Sequence, residues 1–208
     1  MTGAFIFAPF SSSGLSAATT VAFTTLDAGG GYLTAGGTSI TGSAHGYQGF
    51  GNLFVPIVGG TLDSIGIGIT SIGSPEWVDV RLCLDSGNGF PTGATLAAGA
   101  VMTAGYFGST SPALSVFTPL TPVTLDAGTG YWLLITPHSS TSYDVWNDET
   151  IDVIGEHAAT SDGVNWGIGP GQTLNPFQVL VVVPEPSCAA LLLGALVLVA
   201  GRRHTLRR

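Results

Sequence analysis

The stretch Glu76-Trp77-Val78-Asp79-Val80-Arg81-Leu82-Cys83-Leu84 alternates apolar residues with residues of other kinds. Val78, Val80, Leu82 and Leu84 occupy every second position, and in an extended chain such positions share one face. An alternation of period two is typical of a strand that has one face in the core and the other toward solvent. We therefore predict a half-buried β-strand here.

Turn-forming residues follow this strand at once, in Asp85-Ser86-Gly87-Asn88-Gly89 and again in Pro91-Thr92-Gly93. The run Tyr131-Trp132-Leu133-Leu134-Ile135 is apolar on both faces, which is typical of a central strand. No amphipathic helix of useful length precedes the last 25 residues. We predict further strands at 20–25, 50–55, 65–69, 114–118, 130–136, 142–146, 151–154 and 177–183. Many short strands between Gly- and Pro-rich turns indicate an all-β protein with a single β-sandwich or jelly-roll-like domain.

The 208-residue chain divides into three parts, and its length suits one folded domain. Residues 1–44 are rich in Gly, Ser and Thr, and we expect them to be partly irregular. Residues 45–183 carry the β-sandwich, and residues 184–208 form a C-terminal tail. A secretory signal begins with basic residues before an apolar run, which residues 1–10 do not show, so we expect the natural start to lie upstream.

The charge of the chain is strongly acidic and unevenly distributed. There are 13 Asp and Glu residues against five Arg and no Lys, which gives a formal net charge of -8. Arg81 is the only basic residue before Arg202 apart from histidines. A body with so few cations cannot neutralise phosphates, which argues against nucleic-acid binding.

The tail consists of three segments with distinct physical properties. Val183-Pro184-Glu185-Pro186-Ser187 is held extended by its two prolines, and an extended segment suits a protease. Residues 188–200 are apolar and would form a short transmembrane helix of about 20 Å, less than the roughly 30 Å of a bilayer core. The arginines after it would anchor the end on the cytoplasmic side, namely Arg202, Arg203, Arg207 and Arg208.

This order of segments closely resembles the PEP-CTERM sorting signal of Gram-negative bacteria. The resemblance implies transient anchoring in the inner membrane, processing by an exosortase near the Pro-Glu-Pro, and release to the cell surface or extracellular matrix. It also implies a link to exopolysaccharide and biofilm production. The body resembles the β-rich choice-of-anchor domains in Val78 to Leu84, in the loop that runs to Leu96, and in Ala127-Gly128-Thr129-Gly130-Tyr131-Trp132-Leu133. That resemblance implies a β-sandwich without established catalytic activity.

Metal binding is a possibility that the sequence leaves open. Asp85 and Asn88 lie in a turn that weakly resembles a calcium loop, but the EF-hand spacing and its closing Glu are missing. Asp144 and Asp148 belong to a second acidic stretch that could bind calcium. No other cofactor is expected, since zinc-site spacings are absent. Cys83 and Cys188 would lie in different compartments, so we expect no disulfide.

Three roles for the body are compatible with the sequence. We expect a non-enzymatic surface or matrix protein, because the histidines are isolated and no nucleophile elbow is present. The second is a carbohydrate-binding module, with Trp146 and Trp166 as the best surface candidates for stacking on a sugar. The third is a polysaccharide-cleaving enzyme that uses a pair of carboxylates such as Asp144 and Glu149.

Overall fold

The computed structural model describes residues 17–110 and 112–184. Thr19–Val183 form one compact unit, which does not include the described residues Ala17, Ala18 and Pro184. The described strands are β1 (Ala17–Thr24), β2 (Leu33–Thr41), β3 (Gly49–Phe54), β4 (Gly60–Ile67), β5 (Ile69–Ser71), β6 (Trp77–Asp85), β7 (Pro91–Met102), β8 (Ser115–Phe117), β9 (Thr124–Leu125), β10 (Tyr131–Pro137), β11 (Tyr143–Asp148), β12 (Ile154–Thr160), β13 (Gly167–Thr173) and β14 (Phe177–Pro184). A 3₁₀ turn at Ser43–His45 is the one helical element in these ranges.

The prediction of an all-β protein is confirmed. The strands form three sheets. A six-stranded sheet has the order β13-β12-β3-β10-β6-β7, and a five-stranded sheet has the order β1-β14-β4-β8, with β9 also pairing with β4. A three-stranded sheet has the order β2-β11-β5.

The five- and six-stranded sheets face each other across one apolar core, which is the arrangement of a β-sandwich. Ile65 and Val179 enter this core from the five-stranded sheet, and Val80 and Leu133 enter it from the six-stranded sheet. A ring contact joins the two layers, since the ring centroid of Phe54 in β3 lies 5.6 Å from that of Phe177 in β14. Within the six-stranded sheet, the ring of Phe54 also lies 5.8 Å from that of Tyr131. The three-stranded sheet contributes to the same core through Ile40, Ile69 and Trp146.

Strand β6 follows the predicted alternation. Val78, Val80 and Leu82 are buried in the main core, whereas Leu84 at the strand end is partly exposed. Strand β10 is central, as predicted, since it pairs with β3 on one side and β6 on the other. Both of its faces are buried because Trp132 and Leu134 pack into a smaller second cluster on the outer side of the sheet.

Two predicted boundaries need correction, and some strands were not predicted. The compact unit begins at Thr19 rather than near residue 45, because Leu26, Tyr32 and Ile40 are buried in it. The strand expected at 151–154 instead forms at Ile154–Thr160. Strands β2, β7 and β13 were not predicted, since their Gly-, Ala- and Thr-rich sequences lack a clear alternation of apolar and polar residues.

Within residues 17–110 and 112–184, no helix is long and apolar enough to cross a membrane. The predicted transmembrane helix at 188–200 lies outside these ranges.

Candidate functional site

The outer face of the six-stranded sheet carries several polar side chains. Those of β6 lie there because apolar and polar residues alternate along that strand. Because Val78 and Val80 point into the core, Asp79 and Arg81 point outward. Thr136 of β10 pairs with Asp79 in register and shares its face. On the other side of β6, Asp79 pairs with Ala100 and Arg81 pairs with Ala98 of the edge strand β7.

These side chains line an open groove of about 430 Å³. Small residues of β7 form one side of it, and their short side chains leave room above the sheet. The lining residues are Tyr47, Asp79, Val80, Arg81, Ala98, Gly99, Ala100, Thr136 and Gly163.

Arg81 is the only Lys or Arg in the described part of the chain, and it is half-buried in the groove. Among the described residues, no carboxylate lies within 4.0 Å of its guanidinium, since the single ion pair found there joins His138 to Asp79. A guanidinium has five N–H donors and no acceptor. These donors remain available to a ligand in the groove.

The carboxylate of Asp79 is held by His138, whose Nδ1 lies 2.7 Å from Oδ1 of Asp79. The ring of Trp77 lies beside this pair, with its centroid 6.5 Å from that of His138. Trp77 is 46% exposed. An exposed aromatic ring therefore adjoins the polar end of the groove.

The loop that joins β12 to β13 lies against Tyr47 in the groove. Gly163 in this loop has a φ of +76°, and a Cβ placed there would lie 2.7 Å from the Tyr47 hydroxyl. The side chain of Asp162 orders the loop by accepting hydrogen bonds from the backbone N–H groups of Val164 at 2.8 Å and Asn165 at 2.7 Å. These bonds favour the ionised form and hold the pKa of Asp162 well below its usual value. Burial raises the pKa of Tyr47, which keeps its hydroxyl neutral.

The two tryptophans expected to bind sugar, Trp146 and Trp166, do not line this groove. Trp146 is fully buried in the main core, and its Nε1 donates a hydrogen bond to the carbonyl of Pro176 at 3.2 Å. It cannot stack on a ligand, so that prediction is wrong. Trp166 is half-buried against the second apolar cluster. The alternation in β6 already places Trp77 on the solvent face, which is the signal that could have identified it.

In the turn that suggested calcium binding, the carboxylate of Asp85 is hydrogen-bonded within the protein. Oδ1 of Asp85 accepts a hydrogen bond from Trp132 Nε1 at 3.0 Å, and Oδ2 accepts one from the backbone N–H of Gly87 at 3.0 Å. The backbone N–H of Asn88 donates to Ser86 Oγ at 3.3 Å. These contacts stabilise a turn and anchor a buried indole.

The carboxylates of the second acidic stretch do not lie close together. Asp144 and Asp148 are four residues apart along β11, which separates them by roughly 13 Å in an extended strand. The two therefore cannot share a calcium ion. Throughout the described ranges, no three His, Cys, Asp or Glu side chains are grouped so that they could hold a metal ion.

The carboxylate pair suggested for polysaccharide cleavage is also not available to a substrate. Asp144 is 0% exposed. Glu149 is buried, and its carboxylate accepts hydrogen bonds from the backbone N–H groups of Ile151 and of Val153, the latter at 3.0 Å. Glu149 therefore orders the loop that precedes β12.

Of the predicted sorting motif, Val183 and Pro184 end strand β14. Glu185, Pro186, Ser187 and the four arginines of the tail lie outside the described residues. No protein-family model matches the chain, and no curated protein matches it.

Proposed function

We propose that this chain is an exported cell-surface or extracellular-matrix protein whose β domain binds polysaccharide in the groove on its six-stranded sheet. The observation that carries the proposal is the groove itself, which combines polar side chains with an adjoining exposed indole. In this view the domain is a binding module and not an enzyme. Its partner is extracellular polysaccharide, and no metal is required.

The composition of the groove suits a sugar chain. Asp79, Thr136 and Tyr47 supply acceptors and hydroxyl groups for the hydroxyls of a sugar ring. The exposed face of Trp77 can stack on the apolar face of a neighbouring ring. An open groove also allows a long polymer to pass through, which a closed cavity would not.

A binding role is favoured over cleavage by the surroundings of the Asp79–His138 pair. In a catalytic triad the imidazole, oriented by a carboxylate, also contacts a nucleophile. Across the described residues, no Ser, Thr or Cys side chain is hydrogen-bonded to the other ring nitrogen of His138. The pair serves here to orient Asp79 toward the groove.

Delivery to the cell surface is proposed on the sequence of the tail and its resemblance to PEP-CTERM signals. We propose that 188–200 anchor the precursor in the inner membrane, with the arginine cluster in the cytoplasm, and that an exosortase cuts near Pro184 to Ser187. Strand β14 ends at Pro184, so a cut beyond it would leave the β domain whole.

The polysaccharide proposal is tested by titrating the purified protein with short oligosaccharides from the exopolysaccharide of the producing cells. We expect Trp77→Ala to raise the Kd by up to about tenfold, because a ring contact of this kind contributes roughly 0.5 to 1.5 kcal/mol. Leu120→Ala is the matched control, since Leu120 is an apolar residue that is 94% exposed and lies outside the groove.

Two results would contradict this function. One is that the unaltered protein does not bind the oligosaccharides at all. The other is that Trp77→Ala and Leu120→Ala bind as tightly as the unaltered protein.

A further inference from the structure

Arg81 is unusual because it is a cation without an ion-pair partner among the described residues of an acidic domain. The described residues contain 12 of the 13 Asp and Glu residues of the chain and only this one arginine. The nearest candidate along the strand, Asp79, is bonded to His138 instead.

We propose that the groove selects acidic sugars, and that Arg81 binds the carboxylate of a uronic-acid unit. This inference rests on the proposed polysaccharide-binding function and adds a ligand class to it. The planar guanidinium matches a carboxylate with two parallel N–H···O bonds, which a lysine could not provide. Thr136 and Tyr47 then bind the hydroxyls of the same or the next ring.

The geometry of the groove allows this contact. Arg81 pairs with Ala98 of β7 on one side, and the neighbours of Ala98 in the lining are Gly99 and Ala100. The side chains of Ala98 and Ala100 end at Cβ and Gly99 has none, so β7 contributes no long side chain to this part of the lining. The residue is half-buried, so part of its surroundings is protein rather than water, and this strengthens its attraction to an anion.

The acidic surface limits where on the domain an acidic ligand can bind. The described part of the domain carries 12 carboxylates and one arginine, so it repels polyanions at long range. This repulsion is largely screened beyond about 8 Å at physiological ionic strength, whereas the contact at Arg81 is not. An acidic sugar is therefore bound where its carboxylate reaches Arg81 and is rejected elsewhere on the surface.

The test compares two forms of one probe: those oligosaccharides from the exopolysaccharide of the producing cells that contain uronic-acid units, either untreated or with their carboxyl groups chemically reduced to primary alcohols. The reduction removes the charge and keeps the sugar backbone. We expect the unaltered protein to bind the untreated form about tenfold more tightly, as measured by calorimetric titration. This comparison needs no mutation.

Variants at position 81 then assign the preference to the arginine. We expect Arg81→Gln to bind both forms equally, with the affinity that the unaltered protein shows for the reduced form. Arg81→Lys should keep part of the preference, because it keeps the charge and loses the two-bond geometry. Thermal unfolding of each variant checks that the fold is retained.

The outcomes separate this inference from the proposed function. If the unaltered protein binds both forms equally, selection for acidic sugars is overturned while polysaccharide binding stands. A preference that persists in Arg81→Gln would place the anion site elsewhere and also overturn the inference. If neither form binds, the proposed function fails as well.

Discussion

Asp144 is a carboxylic acid in a place that water does not reach. Its side chain is 0% exposed, and neither of its oxygens has a hydrogen-bond partner among the described residues. Burial, together with the nearby charge of Glu76, raises the pKa of Asp144 to about 7. A buried carboxylate without partners is costly, so the folded protein favours the protonated form.

This shift predicts that the contribution of Asp144 to stability falls as the pH rises from about 4 to about 7. In that range the folded state holds a proton on Asp144 that the unfolded state has released, since the ordinary value is 3.8. The difference of about 3 pKa units corresponds to roughly 4 kcal/mol in the free energy of unfolding. Asp144→Asn should remove most of this dependence and be more stable than the unaltered protein at pH 8.

Urea unfolding between pH 4 and pH 8 measures this dependence, and Asp63→Asn, an exposed position on β4, serves as the control. If Asp144→Asn and the unaltered protein lose stability in parallel as the pH rises, Asp144 is not the group responsible.

Individual residues show where sequence reasoning succeeds and where it fails. The inward positions Val78, Val80 and Leu82 were predictable because alternation alone determines the face. Trp146 was placed at the surface because its sequence neighbours are polar, yet those neighbours are buried too. Asn175 explains how this is possible, since its Nδ2 donates to the carbonyl oxygens of Trp146 at 3.0 Å and of Asn147 at 2.9 Å. A partner 29 residues away along the chain cannot be inferred from local composition.

At the level of elements, the loop between β12 and β13 controls the shape of the groove through Gly163. An alanine there would be strained by the positive φ, at a cost of about 1 to 2 kcal/mol, and its Cβ would displace Tyr47. We expect Gly163→Ala to weaken polysaccharide binding several-fold as well as to lower stability. Gly171→Ala is a matched control, because its φ is +69° and no atom lies near its Cβ position.

Both variants should therefore show similar losses in the free energy of unfolding, and only Gly163→Ala should show weaker binding in the same calorimetric titration. Equal affinities for the two variants would mean that Tyr47 does not contribute to the groove.

The elements also explain why half of the candidate site was predictable. Asp79 and Arg81 follow from the alternation in β6, and the isolation of Arg81 as a cation is visible in the sequence. Tyr47, Thr136 and Gly163 come from three other segments, and only the pairing of strands brings them together. Strand β7 could not be predicted because its Ala- and Gly-rich sequence has a low preference for β structure, and it becomes a strand by pairing with β6.

For the whole molecule, the sequence predicts the class of fold but not which strands make up each sheet. The sheets depend on pairs far apart in the chain, such as Thr25, whose hydroxyl donates to the carbonyl of Asn175 at 2.8 Å. Short strands with Gly- and Pro-rich turns indicate a sandwich without saying which strands are neighbours. The first and last described strands, β1 and β14, lie side by side in the five-stranded sheet.

The proposed sorting of the whole protein predicts two different C-termini. We expect the extracellular form to end between Pro184 and Ser187, and the membrane fraction of the producing cells to contain a precursor that retains Arg202 to Arg208. Mass spectrometry of C-terminal peptides from the two fractions measures this directly. If the extracellular protein retains Arg202 to Arg208, exosortase processing does not occur.

Strand β14 has neighbours on both sides, β1 and β4, and its ladder with β4 is antiparallel. The hydrogen bonds of such a ladder run perpendicular to the strands. A force that pulls on the chain beyond Val183 in the direction of the strand therefore loads these bonds in shear. All of them bear the force together, instead of opening one by one. A domain loaded at this end would therefore resist unfolding better than one whose strand bonds open in sequence.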